Sequence, residues 1–296
     1  MPYPTSRRFF GLITLALCTL GVAAEPMVAS LAKLWLPDVV STPNSEVRIT
    51  FSPDGKRMLW GTIGWAGGAG GWDIYESVRQ GDGWSTPKSA SFNSPENDFD
   101  PSFAPDGSGV YFFSNRPGGL GKDDIYFAAF DRKSATYAAA VNLGDGVNSA
   151  GDEWAPVVSP DGRRLLFASD GRGGHGKHDL FIAHREGNQW TGARNVEALN
   201  SAEEDFDAAF LHDGHSIVLS RGDFEGTVVL YLARWADGRW QPPVRLGNAI
   251  NSPEPDAWTF GPSISLHDSG ALYVSSQRAE HRGKSDIYRI EYTLAK

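Results

Sequence analysis

The stretch "SNRPGGLGKDDIYFA", residues 114 to 128, runs from a glycine-rich turn into an apolar segment. Related copies are "SDGRGGHGKHDLFIA" at 169 to 183 and "SQRAEHRGKSDIYRI" at 276 to 290. Two diverged copies are "GTIGWAGGAGGWDIYES" at 61 to 77 and "SRGDFEGTVVLYLA" at 220 to 233, the second with valine in place of the aspartate. Self-similarity at a fixed spacing is typical of repeat folds, in which each copy forms one structural unit.

Two other motifs recur with the same spacing. Because proline fixes φ and glycine accepts positive φ, Pro-Asp-Gly favours a tight hairpin. Such turns or their variants start at 52, 104, 159, 211 and 266, and Asn-Ser pairs followed by acidic residues start at 44, 93, 148, 200 and 251. Each period therefore predicts four short antiparallel strands, which is the pattern of a β-propeller blade.

The two ends of the chain predict how the ring closes. The last copy stops at "DIYRIEYTLAK" without a fourth strand, whereas residues 33 to 46, "KLWLPDVVSTPNSE", offer a fourth strand that precedes the first copy. We therefore predict an all-β, five-bladed propeller whose fifth blade combines residues 33 to 40 with residues 258 to 293; a six-bladed ring is the alternative. Pairing of this N-terminal strand with the last strands of the chain would remove the open edge of the ring.

The N-terminus has the layout of an export signal. Two arginines precede an apolar run that ends in small residues, "RRFFGLITLALCTLGVAA", and a run of about 15 residues is short for a membrane span, which needs about 20. We predict a signal peptide at 1 to 24 and a single propeller domain at 25 to 296, periplasmic or secreted. Ser6-Arg7-Arg8-Phe9-Phe10 also resembles the twin-arginine motif, so the Sec and twin-arginine routes both stay open.

Cysteine count and charge exclude several classes of site and partner. Cys18 is the only cysteine, so residues 25 to 296 have no disulfide and no thiolate nucleophile. The same residues hold 25 basic and 36 acidic side chains, a net charge of −11. We expect no binding of nucleic acid or of anionic membrane through bulk charge, no membrane span after the signal is removed, and a monomer.

The repeats resemble a known family. "FSPDGKRMLWG" at 51 to 61 and "PDGRRLLFASDGRGGHGKHDLF" at 160 to 181 are similar to the WD40-like (PD40) repeat of the TolB propeller and its periplasmic relatives, over residues 45 to 293. The resemblance implies a bacterial envelope propeller used for protein interaction or ligand binding. TolB has six blades and a separate N-terminal α/β domain, so its specific role is not implied for this chain.

We call the segments with the Asn-Ser pairs, which lead from one blade to the next, the crossings. The crossings and the glycine-rich loops are predicted to share one face around the channel mouth, where converging polar groups favour a ligand site. We predict an acidic ring suited to a cationic peptide segment or a cation. The alternative is that the same acids cap turns and pair with loop arginines, fixing one blade on the next. The candidate ligand-binding residues are Glu46, Asp98, Asp100, Asp152, Glu153, Glu204, Asp205, Asp207, Asp256, Arg116, Arg172 and Arg278.

A recurring aspartate stands directly before the third strand of four copies. Its position predicts a structural role, in which the carboxylate accepts backbone N–H bonds from the glycine-rich loop. The fourth copy has valine there, which a blade tolerates but a catalytic constellation would not. The four aspartates are Asp73, Asp124, Asp179 and Asp286.

Other chemistry finds little support in the sequence. The glycine-rich loops lack the P-loop spacing and lead into a strand, so phosphate binding is not expected. Two groups of residues could begin a metal site, but neither has a further ligand at a fixed offset: His175, His178 and Asp179 in one loop, and His212 and His215 in another. We therefore predict no metal and no cofactor. The alternative is calcium in an acidic crossing such as 93 to 100.

We therefore predict a binding protein with no catalytic residues, whose partner is an envelope protein or peptide. The alternative is a glycan-active enzyme that uses Asp100, Asp207 and Asp256 as carboxylates. Tryptophans near the inner strands would stack sugars in that enzyme, or pack between blades in either case. They are Trp65, Trp72, Trp154 and Trp258.

Overall fold

The computed structural model describes residues 26 to 295; the predicted signal peptide lies outside them. The described chain is almost entirely β-structure, with one short 3-10 helix at Glu197–Leu199. The strands in chain order are β1 Met27–Ala29, β2 Lys33–Leu34, β3 Ser45–Phe51, β4 Arg57–Ile63, β5 Trp72–Gln80, β6 Gly83–Trp84, β7 Lys88–Ser89, β8 Asp98–Phe103, β9 Gly109–Ser114, β10 Asp124–Asp131, β11 Thr136–Tyr137, β12 Val141–Asn142, β13 Glu153–Val158, β14 Arg164–Ser169, β15 Asp179–Glu186, β16 Gln189–Asn195, β17 Glu204–Phe210, β18 Ser216–Gly222, β19 Val228–Ala236, β20 Arg239–Trp240, β21 Val244–Arg245, β22 Thr259–Ser265, β23 Asp268–Ser276 and β24 Asp286–Leu294.

These strands form five antiparallel sheets. Blade 1 consists of β3 to β7, blade 2 of β8 to β12, blade 3 of β13 to β16, blade 4 of β17 to β21, and blade 5 of β22 to β24 with β1 and β2. The inner strands β3, β8, β13, β17 and β22 each contact the next, and β22 contacts β3, so they close a ring around a central channel. The chain is a five-bladed β-propeller, as the spacing of the repeats predicts.

The N-terminal segment closes the ring, but with different bounds from those predicted. Strands β1 and β2 pair with β24, with Met27 opposite Leu294 and Lys33 opposite Arg289. The prediction that residues 33 to 40 form one closing strand was wrong for 36 to 40, since the last pairing bond with β24 runs from the N–H of Trp35 to the Ile287 carbonyl. Leu36 and Asp38 have φ of 40° and 67°, and the N–H of Val40 donates to the Leu36 carbonyl, so a turn ends the pairing.

An asparagine at each crossing joins it to the preceding blade. Asn148 accepts a hydrogen bond from the N–H of Ile125 and donates one to the Ile125 carbonyl, as another strand would. Asn93, Asn200 and Asn251 do the same to Ile74, Leu180 and Leu230.

The first period departs from this rule. Ser41, not Asn44, reaches the Ile287 carbonyl of blade 5, at 3.3 Å. The Asn-Ser pair predicted at residue 44 therefore stands three residues away from the structural equivalent, which is Ser41-Thr42.

The aspartate before the third strand has the predicted role. Asp124 accepts hydrogen bonds from the N–H groups of Leu120 and Gly121, and Asp73, Asp179 and Asp286 accept the equivalent pair. Gly121 also explains the glycine of the motif, because a Cβ there would overlap the carbonyl oxygens of Ser149 and Gly151 on the next crossing.

Apolar side chains pack between neighbouring blades. Between blades 1 and 2, for example, Leu59 and Ile74 pack with Phe103 and Phe112, all of them buried. Similar clusters of buried apolar side chains pack between the other neighbouring blades. No helix among residues 26 to 295 is long and apolar enough to cross a membrane.

Two neighbouring residues of β1 test the closure. Met27 is 4% exposed and packs in the core between blades 4 and 5, whereas Val28 is 63% exposed. Met27→Ala should lower the free energy of unfolding by about 2 to 5 kcal/mol, and Val28→Ala should change it by about 0.5 kcal/mol or less. Urea denaturation measures both; equal effects would contradict closure by this strand.

Candidate functional site

Each inner strand carries a β-bulge at the same place. The pairing of the first strand with the second shifts there, and one residue has φ between 40° and 58°. A bulge re-aims the side chains on either side of it. The five bulge residues are Arg48, Asp100, Ala155, Asp207 and Gly261.

The residues that precede the bulges line a bowl at one end of the channel. The bowl has a volume of about 490 Å³, and its wall is largely aromatic. The inner strands contribute Val47, Phe99, Trp154, Phe206 and Phe260, and the rings of Trp72, Phe113, Phe224 and Trp258 complete the wall. We call this cavity the aromatic bowl.

Hydrogen bonds and ring contacts hold the bowl's indoles in place. The indole N–H of Trp154 donates to Asp123 Oδ2 at 2.8 Å, and that of Trp258 donates to the Gly226 carbonyl at 2.9 Å. Phe224 lies between these two tryptophans, with centroid distances of 6.2 and 5.6 Å. The N–H groups of these two indoles are thus satisfied within the fold, and His178 stacks on one face of Trp154, so the remaining ring surfaces can contact a ligand.

The floor of the bowl is charged. Arg48, 2% exposed, reaches across the channel and donates to Asp207 Oδ1 at 3.2 Å and to the Ala208 carbonyl at 3.1 Å. Such a pair loses hydration but gains an interaction strengthened by the low dielectric around it. Arg48 itself lines a separate small cavity of about 50 Å³, together with prolines of the Pro-Asp-Gly turns.

Asp100 is the unusual group on this floor. It lines the bowl, and no donor among residues 26 to 295 reaches its buried Oδ1. Burial raises the pKa of Asp100 well above its usual value, and the neighbouring Asp207 raises it further. Burial also raises the pKa of Asp207, but Arg48 beside it lowers that pKa again, so of the two carboxyls Asp100 is the one that more readily holds a proton.

The structure places the twelve sequence-predicted site residues in three settings. Asp100 and Asp207 line the bowl, and Asp256 is exposed on the crossing to blade 5. The other nine make hydrogen bonds or ion pairs within and between the crossings and loops: Glu46, Asp98, Asp152, Glu153, Glu204, Asp205, Arg116, Arg172 and Arg278. Ligand binding by these residues stays a prediction.

The crossing carboxylates show what these bonds achieve. Glu153 accepts from the N–H and hydroxyl of Ser149, and Ser94 and Ser201 make the same pair of bonds to Asp98 and Asp205. The carboxylate thus fixes the turn that begins each of these three blades. This geometry agrees with the turn-capping alternative for these side chains.

The arginines of the glycine-rich loops fold back onto the crossings. Arg116 pairs with Asp98, Arg172 donates to the Val147 and Asn148 carbonyls, and Arg278 donates to the Ile250 carbonyl. In blade 1, Trp65 occupies the matching place and stacks on Tyr75 at 4.5 Å. Trp65 therefore lies outside the bowl, whereas Trp72, Trp154 and Trp258 line it.

The predicted site residues do not include the phenylalanines of the bowl, although the repeats contain a pattern that indicates them. In three crossings the turn-capping acid is followed directly by an aromatic residue and then by the bulge residue: Asp98-Phe99-Asp100, Glu153-Trp154-Ala155 and Asp205-Phe206-Asp207. Phe260 takes the same place on the fifth inner strand and Val47 on the first, so an aromatic residue at a fixed place on four of the five inner strands indicates a ring of such side chains around the channel.

Comparisons with known proteins bear on the fold. No family model and no curated protein matches the chain. Among solved structures, a thermostable family-43 glycoside hydrolase is 10% identical, with a TM-score of 0.53, covering 87% of this chain and 91% of that one. A gluconolactonase from Xanthomonas campestris is 11% identical, with a TM-score of 0.51, covering 90% and 98%.

TolB from Acinetobacter baumannii is also similar, at 14% identity and a TM-score of 0.48 over 86% of this chain; the match spans 56% of that TolB chain. Propellers described as TolB are thus among the structures that the chain resembles. No family model or curated sequence confirms PD40 or WD40 repeats. Identities this low show a shared fold and leave the activity open.

The pKa of Glu46 makes stability depend on pH. Burial is the main cause that raises this pKa from 4.5 to about 8, against the bonds from Thr42. Between pH 4.5 and 8 the folded chain holds this proton more tightly than the unfolded chain, so stability falls as pH rises through this range. The melting temperature should therefore be lower at pH 8 than at pH 5.

Glu46→Gln should reduce that fall, because an amide does not titrate. Glu96→Gln, at an exposed position of the next crossing, should leave it unchanged. Differential scanning calorimetry from pH 5 to pH 8 makes the comparison. Identical pH slopes for the unaltered chain and both variants would show that Glu46 does not hold a proton in the folded state.

Proposed function

We propose that this chain is an exported cell-envelope protein that binds a protein or peptide partner through the face with the aromatic bowl. A cationic side chain of the partner would enter the bowl. The observation that carries the proposal is the combination of eight aromatic side chains around one cavity with the two carboxyl groups of Asp100 and Asp207, in a lining that also contains Lys284.

Cations suit this cavity for two reasons. An aromatic face attracts a lysine or arginine head group by about 0.5 to 2 kcal/mol, the larger value where water is excluded. The apolar stem of the same side chain packs against the wall while its head group reaches Asp100. The net charge of −11 for residues 25 to 296 favours encounter with a basic partner.

The proton on Asp100 links binding to pH. In the empty bowl, burial and Asp207 keep the pKa of Asp100 high. A bound cation favours the ionised carboxylate, so binding lowers this pKa and releases a proton. The affinity should therefore rise as pH rises.

Export to the envelope rests on the N-terminal sequence. The signal-peptide layout of residues 1 to 24 and the resemblance of the repeats to periplasmic propellers support it. A fractionation experiment would test this part of the proposal separately from ligand binding.

A glycan-active enzyme is less well supported by the geometry. Retaining glycosidases need carboxyl groups about 5 to 5.5 Å apart, and inverting enzymes need about 6.5 to 9.5 Å. Asp207 is close enough to Asp100 to raise its pKa, and Asp207 also pairs with Arg48 at 3.2 Å. Asp207 is thus engaged by an arginine rather than free to act on a sugar. The likeness to a glycoside hydrolase and a gluconolactonase concerns the fold.

Peptides with one variable position test the choice of ligand. One set of peptides carries lysine or arginine at that position, and a matched set carries norleucine. The norleucine peptides should bind at least about ten times more weakly than the cationic ones. Trp72→Ala and Phe224→Ala should weaken lysine-peptide binding about two- to tenfold. Trp235→Ala, at a 42% exposed position of β19 that does not line the bowl, is the matched control and should have no effect.

Equal binding of lysine and norleucine peptides would contradict the proposal. Turnover of an oligosaccharide that is lost in Asp100→Asn would instead support the glycan-active alternative. Fluorescence anisotropy measures the first quantity and reducing-sugar release the second, on the same protein preparations.

Asp100→Asn tests the link between protonation and binding. The unaltered chain should bind the lysine peptide more tightly at pH 8 than at pH 5, while Asp100→Asn should bind weakly and equally at both values. The variant should also be more stable at neutral pH, because it no longer buries an acid with a raised pKa. A pH-independent affinity in the unaltered chain would exclude Asp100 as the group that meets the cation.

A further inference from the structure

Three potential metal ligands meet on blade 3, at the rim of the aromatic bowl. Asp152 lies on the crossing into the blade, Asp170 follows β14, and His178 precedes β15. One ligand atom from each lies within 4.8 Å of the others. The sequence predicts no metal here, because His178 has no further ligand at a fixed offset; the three residues come from separate segments.

His178 is the residue that points to a ligand. It is 6% exposed, and its ring stacks on Trp154 at 3.8 Å. Its Nδ1 lies 2.8 Å from Glu204 Oε2, so Nδ1 carries the proton and donates it. The buried Nε2 then has a free lone pair, and it meets no hydrogen-bond partner in the described part of the chain. A carboxylate that fixes the tautomer in this way is typical of metal-binding histidines.

The two carboxylates are also oriented. Asp152 Oδ1 accepts the N–H of Asp123 at 3.1 Å, and Asp170 Oδ1 accepts the N–H of Asp152 at 2.7 Å. Their Oδ2 atoms face the same cation, the Lys122 ammonium, at 3.3 and 3.7 Å. Lys122 is 69% exposed, so its flexible side chain can move into solvent and leave both oxygens to another cation.

We propose that Asp152, Asp170 and His178 bind a divalent transition-metal ion such as Zn²⁺, and that Lys122 occupies the site in its absence. One imidazole and two carboxylates suit Zn²⁺ better than Ca²⁺ or Mg²⁺, which prefer oxygen ligands alone. Three protein ligands leave a fourth position open to water or to a ligand group. Glu204 supports the site through His178 from the neighbouring blade.

Isothermal titration calorimetry with ZnCl₂ tests the site, using the purified chain after chelator treatment and without a histidine tag. The unaltered chain should bind one Zn²⁺ per molecule. Asp170→Asn should weaken binding at least tenfold, and Glu204→Gln should weaken it about ten- to a hundredfold. Lys122→Met should strengthen binding, because no ammonium competes with the ion.

Two matched controls separate this site from unspecific binding. His175→Gln removes an exposed histidine of the same loop, and Asp223→Asn removes an exposed carboxylate of blade 4 that pairs with Lys177 at 3.7 Å and is not one of the three proposed ligands. Both should keep the affinity of the unaltered chain. The proposal is overturned if neither the unaltered chain nor Lys122→Met binds Zn²⁺ at millimolar concentration, or if the controls lose affinity as much as Asp170→Asn.

Discussion

The bulge on each inner strand is the constraint on which the centre of this propeller depends. In a regular strand, side chains alternate between two faces, but here one residue per inner strand takes a positive φ. That irregularity lets the residue before the bulge enter the aromatic bowl while the bulge residue itself reaches the channel. Non-glycine residues pay strain for this backbone shape. The ion pair of Arg48 with Asp207 shows how bulge residues of different blades then meet across the channel.

The same inner strands sort acidic side chains into two classes. Asp98 and Asp205 accept hydrogen bonds from serines and arginines and fix the crossings. Two residues later, Asp100 and Asp207 stand on the floor of the bowl. Backbone and side-chain donors thus neutralise the first class within the fold. For the second class, the Arg48 guanidinium pairs with Asp207 only. Asp100 therefore favours its protonated form, and a bound cation can displace that proton.

Much of the fold follows from local signals in the sequence. Turn residues, glycine positions and the repeated Asp124-type aspartate predict blades, since each acts within a few residues of its partner. The end of the closing strand at residue 34 and the use of Ser41 in place of Asn44 depend on positive φ values and on contacts with blade 5 that no short pattern encodes. The aromatic bowl and the cluster around His178 form only when five blades meet, so their residues lie far apart in the sequence.

The central claim is that Asp100 holds a proton in the empty bowl and gives it up to a bound cation. A ¹³C NMR titration of the aspartate carboxyl carbons, assigned with Asp100→Asn, measures this directly with and without a lysine-containing peptide. The Asp100 pKa should lie well above 3.8 in the free protein and should fall when the peptide binds. An ordinary pKa in the free protein, or a raised pKa that the bound peptide leaves unchanged, would contradict the claim.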